Sequence, residues 1–119
     1  MLPVTVILKS AITVDCTVYH DLTHIVPRIL ERVFKALPIK RDFSYKQTRM
    51  FAQGEDLNPI ASSIIELTIY VDVAFLERTF FASALQLIAA EIRKVRLAKK
   101  LPQQISVEMV AVDGEFIEI

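Results

Sequence analysis

Residues Ser63–Val71 read Ser-Ile-Ile-Glu-Leu-Thr-Ile-Tyr-Val, and the fold is decided there. In an extended chain Ile65, Leu67, Ile69 and Val71 share one side, while Ile64, Glu66, Thr68 and Tyr70 share the other. Period-two spacing with β-branched residues predicts a strand with one buried face. Whatever buries that face must come from the neighbouring segments.

Downstream, Asp72 is placed to cap a helix. Phe81, Ala84, Leu85, Ile88, Ile92 and Val95 then form an apolar stripe, which Phe80 and Leu87 widen. Arg93, Lys94, Arg96, Lys99 and Lys100 crowd the last turns, where cations match the negative end of the helix dipole. Pro102 stops the helix. Ile105, Val107, Met109 and Ala111 alternate with Ser106, Glu108, Val110 and Val112, predicting another strand. Asp113-Gly114 is hairpin-turn chemistry, and Glu115–Ile119 reads as a short final strand.

Upstream, Phe43–Phe51 alternates and predicts a strand. Gly54 and Asn58-Pro59 mark the turn that follows, within residues 52–59. Before it, Leu22, Ile25, Val26, Ile29, Leu30, Val33, Phe34 and Leu37 keep the i, i+3, i+4 rhythm of one helix face. Pro27 interrupts that rhythm chemically, because it has no N–H and disfavours helical geometry at Val26. The expectation is a kink there, or a helix proper that starts near Thr23, with Pro38 as its end. Pro3–Lys9 reads as the first strand, with Val4, Val6 and Leu8 on one side. Ser10–Tyr19, rich in Val, Thr and Ile, extends that strand or makes a small hairpin.

The order βαββαβ makes an α+β two-layer sandwich, a four-stranded sheet with two helices on one face, as a single domain over residues 1–119. Lys plus Arg total 14 and Asp plus Glu total 14, so no net field draws the chain to nucleic acid or anionic lipid. Hydrophobic residues are 53% of the chain and mean hydropathy is +0.41. No apolar run approaches the ~20 residues that span a bilayer, so the surplus points to a subunit interface. Cys16, the one cysteine, has no internal disulfide partner; with no charge before Lys9 to suggest a secretory signal, the expectation is cytoplasmic.

Three segments resemble the tautomerase superfamily, the group of macrophage migration inhibitory factor and carboxymethyl-hydroxymuconate isomerase. They are similar in particular to an uncharacterised bacterial family within it. The segments are Ile25-Val26-Pro27-Arg28-Ile29-Leu30, Met50-Phe51-Ala52-Gln53-Gly54 and Ile65-Glu66-Leu67, joined by the element order and a proline opening the first strand. The resemblance implies a trimer with the sheets around a central axis and the helices outside. It also implies catalysis by the secondary amine of an N-terminal proline, a general base tuned near neutrality, with arginines holding a substrate carboxylate. A ferredoxin-like dimeric binding module has the same element order and is the structural alternative.

The sequence departs from the superfamily at the catalyst. Its proline is Pro3, behind Met1 and Leu2, and leucine after methionine blocks methionine removal. Acylated by Leu2, the Pro3 nitrogen has no basic lone pair. Pro3 is therefore catalytic only if processing exposes it. Arg49, with Lys46 and Arg41, is the candidate binding set for a small carboxylate at a subunit boundary. The expected function is an oligomer that binds such a ligand without proline catalysis; the alternative is a keto–enol tautomerase active after N-terminal trimming. No cofactor is expected. His20 and His24 stand four apart on one helix face with no third ligand nearby, so no metal is expected either. With Gly54 and Gly114 as the only glycines, there is no phosphate-cradling loop. Cys16 reads as a structural thiol.

Overall fold

In a computed structural model, residues 2–11, 16–55 and 64–113 are described. Four strands, β1 (Val4–Ala11), β2 (Thr48–Glu55), β3 (Ile64–Asp72) and β4 (Gln104–Val112), form one sheet in the order β2-β1-β3-β4. Helix α1 (Cys16–Lys35) connects β1 to β2 and α2 (Phe81–Ala98) connects β3 to β4. Each connection joins parallel neighbours, and the two halves meet where β1 and β3 run antiparallel. A ferredoxin-like domain splits its βαβ units with an intervening strand. Here β1 and β2 are hydrogen-bonded neighbours, so that alternative is excluded.

The strand that opened the reading behaves as its pattern predicts. Ile65, Leu67, Ile69 and Val71 are buried, and the residues between them are not. Val4, Val6 and Leu8 of β1 join them under the helices, with Met50, Ile105, Val107 and Met109 packed at the margins. From α1 come Leu22, Val26, Ile29, Leu30, Val33 and Phe34; from α2 come Ala84, Ile88 and Ile92. Ion pairs Asp21–Lys99 and Arg32–Glu91 bridge the two helices at their exposed surface. They join the start of α1 to the end of α2 and the end of α1 to the middle of α2, so the helices run antiparallel.

Five expectations are corrected. α1 begins at Cys16 and runs unbroken through Pro27, which is buried in its middle. Thr17-Val18-Tyr19, read as strand or hairpin, is its first turn; tertiary packing of Val18 and Tyr19 outweighs their strand preference. β2 starts at Thr48 instead of Phe43, because Ser44 and Gln47 close a reciprocal capping box around a 3-10 turn, Tyr45–Gln47. The strand then continues through Gly54, expected as a turn residue. Asp72 caps no helix: its Oδ1 accepts from Ala74 N at 2.9 Å and folds a turn, while α2 starts at Phe81 after a 3-10 turn, Arg78–Phe80. The Asp72 turn buries Phe75 and Leu76, and the Phe75 ring meets Phe34 edge to face and Phe43 at a tilt, at centroid separations of 5.6 and 5.3 Å.

The final strand expected at Glu115–Ile119, Gly114 of the turn before it, and Asn58-Pro59 lie outside the described residues, as does the Cys16 side chain. No helix among the described residues is long and apolar enough to cross a membrane.

Candidate functional site

The β1 and β2 strands start, and β3 and β4 end, at one end of the sheet, and Pro3 stands there. Its ring is buried and its carbonyl accepts a hydrogen bond from Asp72 N at 3.0 Å. Beside it Val73 N donates to Val112 O at 2.9 Å, which ties the end of β4 to the turn after β3. Leu2 precedes Pro3 and is exposed. The proline nitrogen is thus a tertiary amide, one residue before the first ladder position, Val4, of a central strand. It can neither donate a hydrogen bond nor take up a proton.

Cations gather around this end. Lys40 pairs with Glu77 at 3.3 Å and Arg78 with Asp113 at 3.8 Å. Arg41 lies with its guanidinium carbon 6.0 Å from the centre of the Phe75 ring. Lys46 sits exposed on the 3-10 turn, where its backbone N–H donates to Ser44 Oγ at 3.2 Å. Arg49 is half-buried, directly opposite Thr5, on the face of the sheet away from the helices. The strand read over Phe43–Phe51 would put Tyr45 and Gln47 on the same face as Arg49; that face does not form, because Tyr45–Gln47 is a 3-10 turn. Pro3 and Arg49 therefore lie near one another along β1 and β2, whereas Arg41 is engaged with the core aromatics.

The connection between α1 and β2, residues 36–47, is held firmly. Glu31 Oε1 accepts from Tyr45 N at 3.3 Å and pairs with Lys35 at 3.6 Å, and Arg28 covers the Tyr45 ring at 4.3 Å. Against it opens a cleft of about 470 Å³ lined by Lys35, Ile39, Asp42, Phe43, Ser44 and Gln47. The sequence reading missed this cleft. Its one legible signal was Ser44-Tyr45-Lys46-Gln47, a capping-box spacing.

His20 and His24 are exposed and meet edge to face, with ring centroids 4.5 Å apart. Among the described residues no group of three or more His, Cys, Asp or Glu is placed to hold a metal.

No family model and no curated protein sequence matches the chain. Solved structures do match it, over nearly its whole length. N1, a member of the cis-3-chloroacrylic acid dehalogenase family, superimposes with a TM-score of 0.63 at 11% identity, covering 97% of this chain and 79% of that one. A 5-carboxymethyl-2-hydroxymuconate delta-isomerase gives 0.55 at 14%, covering 98% and 85%. The chain has the tautomerase fold. A protein of unknown function from Vibrio cholerae shares this fold with it, at a TM-score of 0.63 and 8% identity, over 99% of this chain and 84% of that one. Identities this low carry the tautomerase fold across and leave the chemistry to the residues present.

Proposed function

We propose that this protein is a tautomerase-fold oligomer that binds a small carboxylate and does not use proline catalysis. The observation that carries the reading is Pro3: buried, acylated by Leu2 and built into the sheet through the Asp72 N–H. A base for carbon–oxygen proton transfer needs a free lone pair near neutral pH, and this nitrogen has none. Arg49 and Lys46, at the same end of the sheet, supply the charge for a carboxylate, with Arg41 in a supporting place on Phe75. The open face of the sheet supports self-association, with three copies as the closed ring and two as the runner-up. The single domain of residues 1–119 is then one subunit, acting in the reducing cytoplasm that suits its lone cysteine.

The test combines intact mass with turnover. The natively expressed protein is expected to retain Met1 and Leu2 and to leave phenylpyruvate and 2-hydroxymuconate unconverted, while phenylpyruvate binding weakens in Arg49→Gln. A mass lacking both residues, with turnover abolished in Pro3→Ala, would establish the opposite reading, an enzyme activated by trimming.

A further inference from the structure

The cleft beside the α1–β2 connection has a chemistry of its own. Two of its lining side chains are oriented by the capping box: Ser44 Oγ accepts from Lys46 N at 3.2 Å, and Gln47 Oε1 accepts from Ser44 N at 2.9 Å. Beyond those bonds both side chains carry donors, the Ser44 hydroxyl proton and the Gln47 Nε2 hydrogens. Lys35 adds an ammonium group, paired with Glu31 at 3.6 Å on an exposed helix surface. Three residues with donor side chains, one of them charged, line this one cleft. Asp42, on the same cleft, contributes a carboxylate that no described cation pairs with. Ile39 and the buried Phe43 supply the apolar part of the lining.

We propose that this cleft binds a zwitterionic amino acid with an apolar side chain, its carboxylate on Lys35, Ser44 and Gln47 and its ammonium on Asp42. The inference goes beyond the carboxylate-binding reading above: it concerns a second site, apart from Arg49 and Lys46, and stands or falls without that reading. A lining with one cation, Lys35, and one anion, Asp42, matches a ligand that carries both charges. A simple carboxylate would add a further negative charge where Asp42 lines the cleft and Glu31 already pairs with Lys35, and like charges oppose binding. A volume of about 470 Å³ accommodates a leucine-sized molecule. The capping box also fixes the cleft in advance, because the bonds that aim Ser44 and Gln47 are the ones that fold the turn.

The experiment titrates the full chain, followed by amide chemical shifts, with three probes: leucine, 4-methylpentanoate, which lacks the amine, and 3-methylbutylamine, which lacks the carboxylate. Leucine is expected to bind at least about tenfold more tightly than either analogue, the size of one charge-assisted hydrogen bond. Asp42→Asn should bring leucine down to 4-methylpentanoate, and Lys35→Gln should bring it down to the amine. Both residues are exposed and outside the core, so both variants are expected to fold. If 4-methylpentanoate binds as tightly as leucine and is lost in Arg49→Gln, the zwitterion cleft is wrong and the Arg49 reading stands. If it binds as tightly and is lost in Lys35→Gln, the cleft is a plain carboxylate site and Asp42 has no part. Leucine shifts absent, or unchanged in both cleft variants, would remove the proposal.

Discussion

The two faces of the sheet are built from alternate residues of the same four strands, yet they follow different rules. Toward the helices, Val4, Val6, Leu8, Ile65, Leu67, Ile69 and Val71 are all buried, and the one buried polar side chain among the described residues, Ser10 near the end of β1, hydrogen-bonds Tyr19 of α1. On the other face, register aligns Arg49, Thr5, Tyr70 and Val110 in one row, and Phe51, Ile7, Thr68 and Glu108 in the next. A third row runs Gln53, Lys9, Glu66 and Ser106. One-sided antiparallel sheets usually turn a polar face to water. Here Phe51 and Ile64 stay exposed, and Ile7, Tyr70 and Val110 are half-buried. Such a face is neither a core nor an ordinary solvated surface; it has the mixed composition expected of a surface that another copy covers.

Truncation is the strongest way to test the contrast. Leu67→Ala, in the middle of β3 beneath the helices, is expected to cost about 2–5 kcal/mol in urea unfolding. Ile7→Ala, next to it on β1 but facing out, should cost less than about 1 kcal/mol in an isolated chain. If another copy covers the open face, the cost of Ile7→Ala will grow with protein concentration, while that of Leu67→Ala will not. Equal costs at every concentration would show that the two faces are energetically alike and that the contrast is one of composition only.

Assembly sharpens the same point. Light scattering at micromolar concentration is expected to give a multiple of the 13.5 kDa chain mass. β2 and β4 are the sheet edges, and an edge left open invites pairing. A chain ending at Gly114 should assemble more weakly if the apolar tail Glu115–Ile119 joins a neighbour's edge. A monomeric full-length protein would contradict the reading of the open face. A truncated chain with unchanged mass would keep the assembly and acquit the tail.

The helix-facing side was legible in the sequence because burial there imposes a period. Every residue of the α1 stripe from Leu22 to Leu37 is buried or packed against the core, and β3 alternates as read. Errors arose where local hydrogen bonding outweighed pattern. Phe43–Gln47 alternates like a strand, but the bonds between Ser44 and Gln47 turn it into a 3-10 turn. Asp72 spends its carboxylate on Ala74, so the chain makes a turn that buries Phe75 before any helix starts. The site was half legible for the same reason. Pro3 and Arg49 could be placed along strands, whereas the cleft depends on Asp42, Ser44 and Gln47 being brought to Lys35 by a connection that no periodicity encodes.

The helix layer contains its own irregularity. Pro27 removes one backbone hydrogen bond in the middle of α1, where proline costs about 3 kcal/mol relative to alanine. Its buried ring recovers part of that through roughly two methylenes at about 0.8 kcal/mol each. Pro27→Ala is therefore expected to be neutral or to stabilise by about 1–2 kcal/mol in thermal or urea unfolding. A loss above about 2 kcal/mol would mean that the proline sets how Ile29 and Phe34 meet the sheet, and that the covered face depends on it.

The smallest effect is expected where neither face is involved. Lys100 adopts φ 53, the one positive value outside glycine among the described residues. It stands just past α2, where Lys100 N donates to Leu97 O at 3.3 Å and Leu101 N to Arg96 O at 3.1 Å, the paired bonds of a Schellman end. Arg96 Nε completes the turn by donating to Gln103 O at 2.7 Å, aiming the chain into β4. A left-handed backbone strains a residue that has a Cβ, and glycine relieves it at some cost in unfolded-state entropy. Lys100→Gly is expected to stabilise by about 0.5–1 kcal/mol. Because this turn touches neither the core nor the open face, the gain should be independent of protein concentration and should add to the effect of Ile7→Ala. That makes it the internal standard for the comparison of faces. A gain that changed with concentration would show that assembly reaches the α2–β4 turn, and that the covered surface is larger than the open face alone.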